Sequence, residues 1–184
     1  MSGNNDQKSD VLSNVQGQMR LSERIAAFVP GFRGYKEKEI RRESDRLIRN
    51  HLYMKLQIER NDLRNIEQTL ADKRYFDVIT DLDRLNAKMD RVVEKINHAS
   101  YGYSGFFDAV KVREDSLDRM IAFDNKLLDG INALTTEVDA FKADMSSGAT
   151  ATPNLKTRVQ NATDKLNSLE NTFDQRNEVI MGVS

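Results

Sequence analysis

Asp124 stands where a carboxylate is least expected. It falls between Met120 and Leu127 on an apolar stripe that continues through Ile131, Leu134, Val138, Phe141 and Met145. An unpaired charge is strongly disfavoured in such a position. The residue must therefore be paired, hydrogen-bonded or turned to the edge of the stripe. An Arg or Tyr from a neighbouring element would satisfy it; the alternative is a polar contact in a ligand pocket, with Arg33 as a second.

The other residues capable of chemistry are sparse. Two histidines occur, His51 and His98, and His98 follows Glu94 by four residues, so one helix face presents that pair. A metal site needs three or four ligands, and no Glu-x-x-His pair of the di-iron bundle type is present. The acids Asp72, Asp77, Asp81 and Asp83 scatter over several faces of a helix and read as solvated. There is no phosphate-binding Gly-x-x-x-x-Gly-Lys-Ser/Thr, no recognisable nucleophile-and-base set, and no cysteine. These absences lead to the expectation of a non-enzymatic protein with no cofactor and no metal.

Two short segments concentrate rings and backbone freedom: "PGFRGY" at 30–35 and "GYSGFF" at 102–107. Each contains Gly-x-x-Gly, but the KH and RRM modules that use such loops or rings on RNA also need strands, and no strand pattern appears. Phe32, Arg33, Tyr35, Tyr101, Tyr103, Phe106 and Phe107 are the candidate site. They are read as an aromatic plug closing one end of a bundle, or as an exposed patch beside Arg33, Lys36, Arg41 and Lys111.

The elements that position these residues follow from hydrophobic spacing. Residues 1–10 are polar and expected to be a disordered tail, and 11–184 a single helical-bundle domain. Val11, Val15, Met19, Ile25 and Val29 mark a short helix over 11–29, ended by Pro30. Leu47, Leu52, Leu56, Leu63, Ile66 and Leu70 mark a helix over 36–70, with acid-before-base pairs Glu37–Arg41 and Asp45–Arg49 at i,i+4.

The next stripe is Phe76, Ile79, Leu82, Leu85, Met89, Val92 and Ile96, out of phase with the last. A slip through Asp72-Lys73-Arg74 predicts a tight turn between helices 36–70 and 75–98; one continuous helix with a stutter is the rival. Further helices are expected over 112–145 and, after the connector "SSGATATPN", over 154–178, where Leu155, Val159, Ala162, Leu166, Leu169 and Phe173 recur. Asp108 is a cap candidate ahead of the first of these. The sum is an all-α fold: an elongated antiparallel bundle of about four long helices with a short N-terminal helix. Turning at Lys73 would bring both glycine-and-ring segments to one end.

Composition agrees with long helices that each bury one stripe. Hydrophobic residues make up 39% and charged residues 31% of the 184, with a mean hydropathy of -0.64. The formal net charge is -1, so no global field calls for nucleic acid. The mixed-sign run "KEKEIRRESDRLIR" reads as a solvated face. No run reaches the ~20 apolar residues that span a bilayer, and "MSGNNDQKSD" carries no hydrophobic stretch of signal-peptide type. The expected location is cytoplasmic, with peripheral attachment to a membrane surface through 11–29 as the alternative. In that light Asn161-Ala162-Thr163 is only a formal glycosylation acceptor.

"ERIAAFVPGFRGYKEKEIRRESDRLIR" and "GYSGFFDAVKVREDSLDRMIAFD" together resemble an uncharacterised family of prokaryotic all-helical proteins. The resemblance covers roughly residues 20–135 and rests on the Pro-Gly-aromatic-Arg-Gly-Tyr-Lys-Glu-Lys-Glu and Gly-Tyr-x-Gly-Phe-Phe-Asp elements. It implies that 30–39 and 101–108 form a paired feature, and it carries no catalytic residue. The first expectation for function is a helical interaction or scaffold protein, with a protein partner or self-association. The second is a membrane-associated stress or remodelling factor using 11–29. The third is a small-ligand pocket at the aromatic end.

Overall fold

The computed structural model describes residues 17, 19–99, 109, 112–148 and 151–181. Among them the chain is all-helical, without a strand. Helix α1 covers 19–28. Four long helices follow: α2 (Lys38–Asp72), α3 (Phe76–His98), α4 (Glu114–Ser147) and α5 (Thr152–Met181). The 35 residues of α2 make it about 52 Å long.

α2 ends in a Schellman-type turn. The Tyr75 amide donates to Leu70 O at 2.9 Å and the Arg74 amide to Ala71 O at 3.0 Å, the two bonds that close such a cap. Arg74 takes the left-handed position, with φ 64. Tyr75 O then accepts the first amides of α3, from Val78 at 3.0 Å and Ile79 at 3.3 Å. One residue thus ends one helix and starts the next. The turn separates the two helices, and no continuous rod runs through residue 73.

Cross-helix pairs set the arrangement. α2 and α3 are antiparallel, since Arg64 reaches Asp90 at 3.1 Å and Asn86 donates to Glu67 nearer the turn. α4 and α5 are antiparallel too, with Arg158 on Asp144 at 2.7 Å and Arg176 on Asp124 at 2.6 Å. The two hairpins lie side by side. α2 packs on α3 and α4, and α5 packs on α4 and α3. Consequently α3 and α4, consecutive in sequence, occupy opposite corners, and their connection joins corners across the diagonal. The tip of the first hairpin meets the end of α4, where Lys73 Nζ donates to Met145 O at 3.2 Å.

The core follows the stripes, with corrections at their edges. In α2 the buried residue is Ile48, while Leu47 packs half-buried on the core. In α3 Phe76 is 65% exposed and Val78 takes the core position. In α1 Met19 is exposed, whereas Ile25 and Val29 are fully packed and Leu21 lies against them. Val11 and Val15, the expected start of that helix, and Asp108 lie outside the described residues. The stripes of α4 and α5 are buried throughout, and both continue through polar positions: Asp124 in α4 and Arg176 in α5.

Candidate functional site

The loop between α1 and α2 builds the site. Gly31 and Gly34 have φ of 86 and 87, the left-handed region that glycine enters without a steric penalty. The chain reverses at Pro30-Gly31, and Phe32 and Tyr35 turn inward. Their rings meet edge-to-face, 5.6 Å apart at 75°, a favoured aromatic geometry. Ser44 Oγ secures the loop by donating to Gly34 O at 2.7 Å.

Tyr35 opens a chain of buried hydrogen bonds. Its hydroxyl donates to Asp124 Oδ2 at 2.7 Å. Arg176 then links three groups: Nε donates to Asp124 Oδ1 at 2.6 Å, Nη1 to Asp45 Oδ1 at 2.8 Å, and Nη2 to Tyr35 Oη at 3.1 Å. Arg49 Nε completes Asp45 at 2.8 Å. Tyr35, Asp124 and Arg176 are each 0% exposed. Two carboxylates and two guanidiniums therefore balance inside the bundle, drawn from α2, α4 and α5.

Burial sets the proton affinities. It pushes the Tyr35 phenol well above its ordinary pKa, reinforced by the Asp124 charge and opposed by Arg176. Burial also raises the Asp124 carboxyl, against the pull of Arg176 and the Tyr35 hydrogen bond. For Arg176 burial works against the charge, but Asp124, Tyr35 and Asp45 more than offset it and hold the guanidinium charged. The cluster is thus a saturated polar layer: Asp124 finds both the Tyr and the Arg that its place on the stripe requires.

Of the other candidate residues, Arg33 is exposed. Arg41, read as the edge of a surface patch, is instead buried. It donates to Tyr35 O at 2.9 Å, Ala109 O at 2.6 Å and Lys36 O at 3.4 Å. It therefore fastens the glycine loop to the chain preceding α4 and does not pair with Glu37. Tyr101, Tyr103, Phe106, Phe107 and Lys111 lie outside the described residues. His98 meets Glu94 at 3.1 Å on an exposed face, and no three potential metal ligands gather among the described residues.

The expected Asp45–Arg49 pair forms, but sequence reasoning missed Arg176 and the burial of Asp45 beside it, although the signal was present. Extending the α5 stripe from Phe173 by three lands on Arg176 and by seven on Ile180. Stepping back seven from Leu52 lands on Asp45. Glu59 also sits on the α2 stripe. Its Oε1 accepts from Thr135 at 2.7 Å, its Oε2 has no hydrogen-bond partner among the described residues, and burial raises its pKa.

Two surfaces contrast with the sealed layer. α1 directs Ile25 and Val29 into the bundle, while Met19 and Phe28 remain exposed. On α2, Met54 is 66% and Ile58 53% exposed, one turn apart on the outer face. Compared with known proteins, the chain matches no family model, no curated protein and no solved structure. Among the described residues no helix is long and apolar enough to cross a membrane.

Proposed function

We propose that the chain is a non-enzymatic helical scaffold that self-associates through the outer face of α2. The observation that carries this reading is the row Leu47, His51, Met54 and Ile58, spaced four, three and four. That is the spacing of a helix–helix seam; Leu47, which also packs on the core, and His51 are half-buried, and the row turns outward at Met54 and Ile58. Met54 and Ile58 are its exposed members. Burial and then the neighbouring Lys55 lower the His51 pKa, so the row is uncharged at neutral pH. Large apolar groups on a helix exterior mark interaction surfaces when they form a continuous row.

The saturation of the Tyr35–Asp124–Arg176 layer supports a structural use of the chain's most chemically suggestive residues. The test is the concentration dependence of molar mass by sedimentation. The intact chain should dimerise, and the Met54→Glu, Ile58→Glu variant should stay monomeric with unchanged helix content. An intact chain that remains monomeric at high micromolar concentration would refute the reading.

A further inference from the structure

A cleft of about 320 Å³ lies between α3 and α5. Four cations line it, Arg84, Lys88 and Arg91 from α3 and Lys156 from α5, together with the acid Asp81. The three on α3 stand at i, i+4 and i+7, one stripe spanning about 10 Å of helix. Leu85 and Val159, both buried, line its base.

In this cleft cations outnumber acids, and only two of the four are paired. Elsewhere, cations that face a neighbouring helix meet acids: Arg64 meets Asp90, Lys142 meets Asp62, and Arg158 meets Asp144 and Glu137. Even on this seam, one turn further along α3, Lys95 meets Glu170 and Asp174. In the cleft the acid across from Lys88 is Glu170, at 2.8 Å, and Asp81 pairs with Arg84 at 3.0 Å. Arg91 and Lys156 have no partner among the described residues, and Gln160 occupies the α5 position where an acid would serve. The cleft thus holds two unpaired cations, one from each helix, over an apolar base, and an extended anion could meet both.

We infer that this cleft is a binding site for an extended phosphate polyanion. Three features select that chemistry. Arginine presents a planar fork that matches phosphate oxygens. The cations are strung along the groove, which suits several linked negative groups better than one compact ion. The volume lies at the lower end of small-molecule sites. The inference does not depend on the α2 surface.

Isothermal titration of the full chain with sodium tripolyphosphate, at low ionic strength, tests it, with orthophosphate and a poly-glutamate peptide as comparisons. Tripolyphosphate should bind at one site per chain, more tightly than either comparison. The Arg91→Gln, Lys156→Gln variant should weaken it by at least about tenfold, the scale of two lost charge-assisted hydrogen bonds. The Arg33→Gln, Lys126→Gln variant removes the same charge elsewhere and should change it by less than about twofold, as screened distant charges do.

A second readout does not depend on affinity. Because neither cation has a partner to lose among the described residues, the thermal midpoint of the ligand-free Arg91→Gln, Lys156→Gln chain should equal or exceed that of the unaltered chain. Equal loss in both variants, tighter binding of orthophosphate or poly-glutamate, or no binding would overturn the inference.

Discussion

At the scale of single residues, the decisive fact is that Arg176 touches Asp124, Asp45 and Tyr35 at once. Arg176→Leu leaves Asp124 without its cation, and should cost about 3–5 kcal/mol in chemical denaturation. The triple replacement Tyr35→Phe, Asp124→Leu, Arg176→Leu should recover most of that loss, because apolar groups then bury neither a lone charge nor an unpaired hydroxyl. Tyr35→Phe removes one donor from Asp124 and should cost about 1–3 kcal/mol. The Tyr35 phenol also has a pH signature. Its folded pKa lies above the unfolded value, so its contribution is complete below about pH 10 and is lost as pH rises beyond it. Stability should fall above that pH more steeply in the unaltered chain than in Tyr35→Phe. Glu59 has the same sign of shift at lower pH: Glu59→Gln should raise the thermal midpoint at pH 7 and leave it nearly unchanged at pH 4.

At the scale of elements, the legible and the illegible parts of the sequence separate for physical reasons. The helices announce themselves because each buries one continuous stripe, and the break before Phe76 shows as a change of phase. That phase change left hairpin and rod as rivals, because the left-handed turn position holds Arg74 rather than glycine. Arg74→Gly should therefore stabilise the chain by about 1 kcal/mol, by removing the left-handed penalty of a side chain. Gly34→Ala should do the reverse by about 1–2 kcal/mol, because its φ is 87 even though an added Cβ would meet no neighbour. Thermal melts of the two variants test both signs. Stripe edges were less legible than centres. Ile48 rather than Leu47, and Val78 rather than Phe76, fill the core, a choice set by the neighbours each meets, which spacing alone does not encode. Arg41 was illegible for another reason: its partners are backbone carbonyls, which no residue type announces.

At the scale of the whole molecule, two antiparallel hairpins lie side by side, with α3 and α4 at opposite corners. The polar layer crosses the other diagonal, from Asp45 on α2 to Arg176 on α5. It is confined to one end, whereas the stripes hold the remainder. Hydrogen exchange on Arg176→Leu should therefore lose protection in the last two turns of α5 and around Asp124, while residues 155–166 keep theirs. Uniform loss along α5 would show that the layer supports the entire bundle. The layer also bears on how the chain is made. Asp45 and Asp124 leave the ribosome long before Arg176, which arrives within the final turns of α5. Until Arg176 is made, Asp124 has no cation to be buried with, so this end of the bundle closes only once α5 is complete.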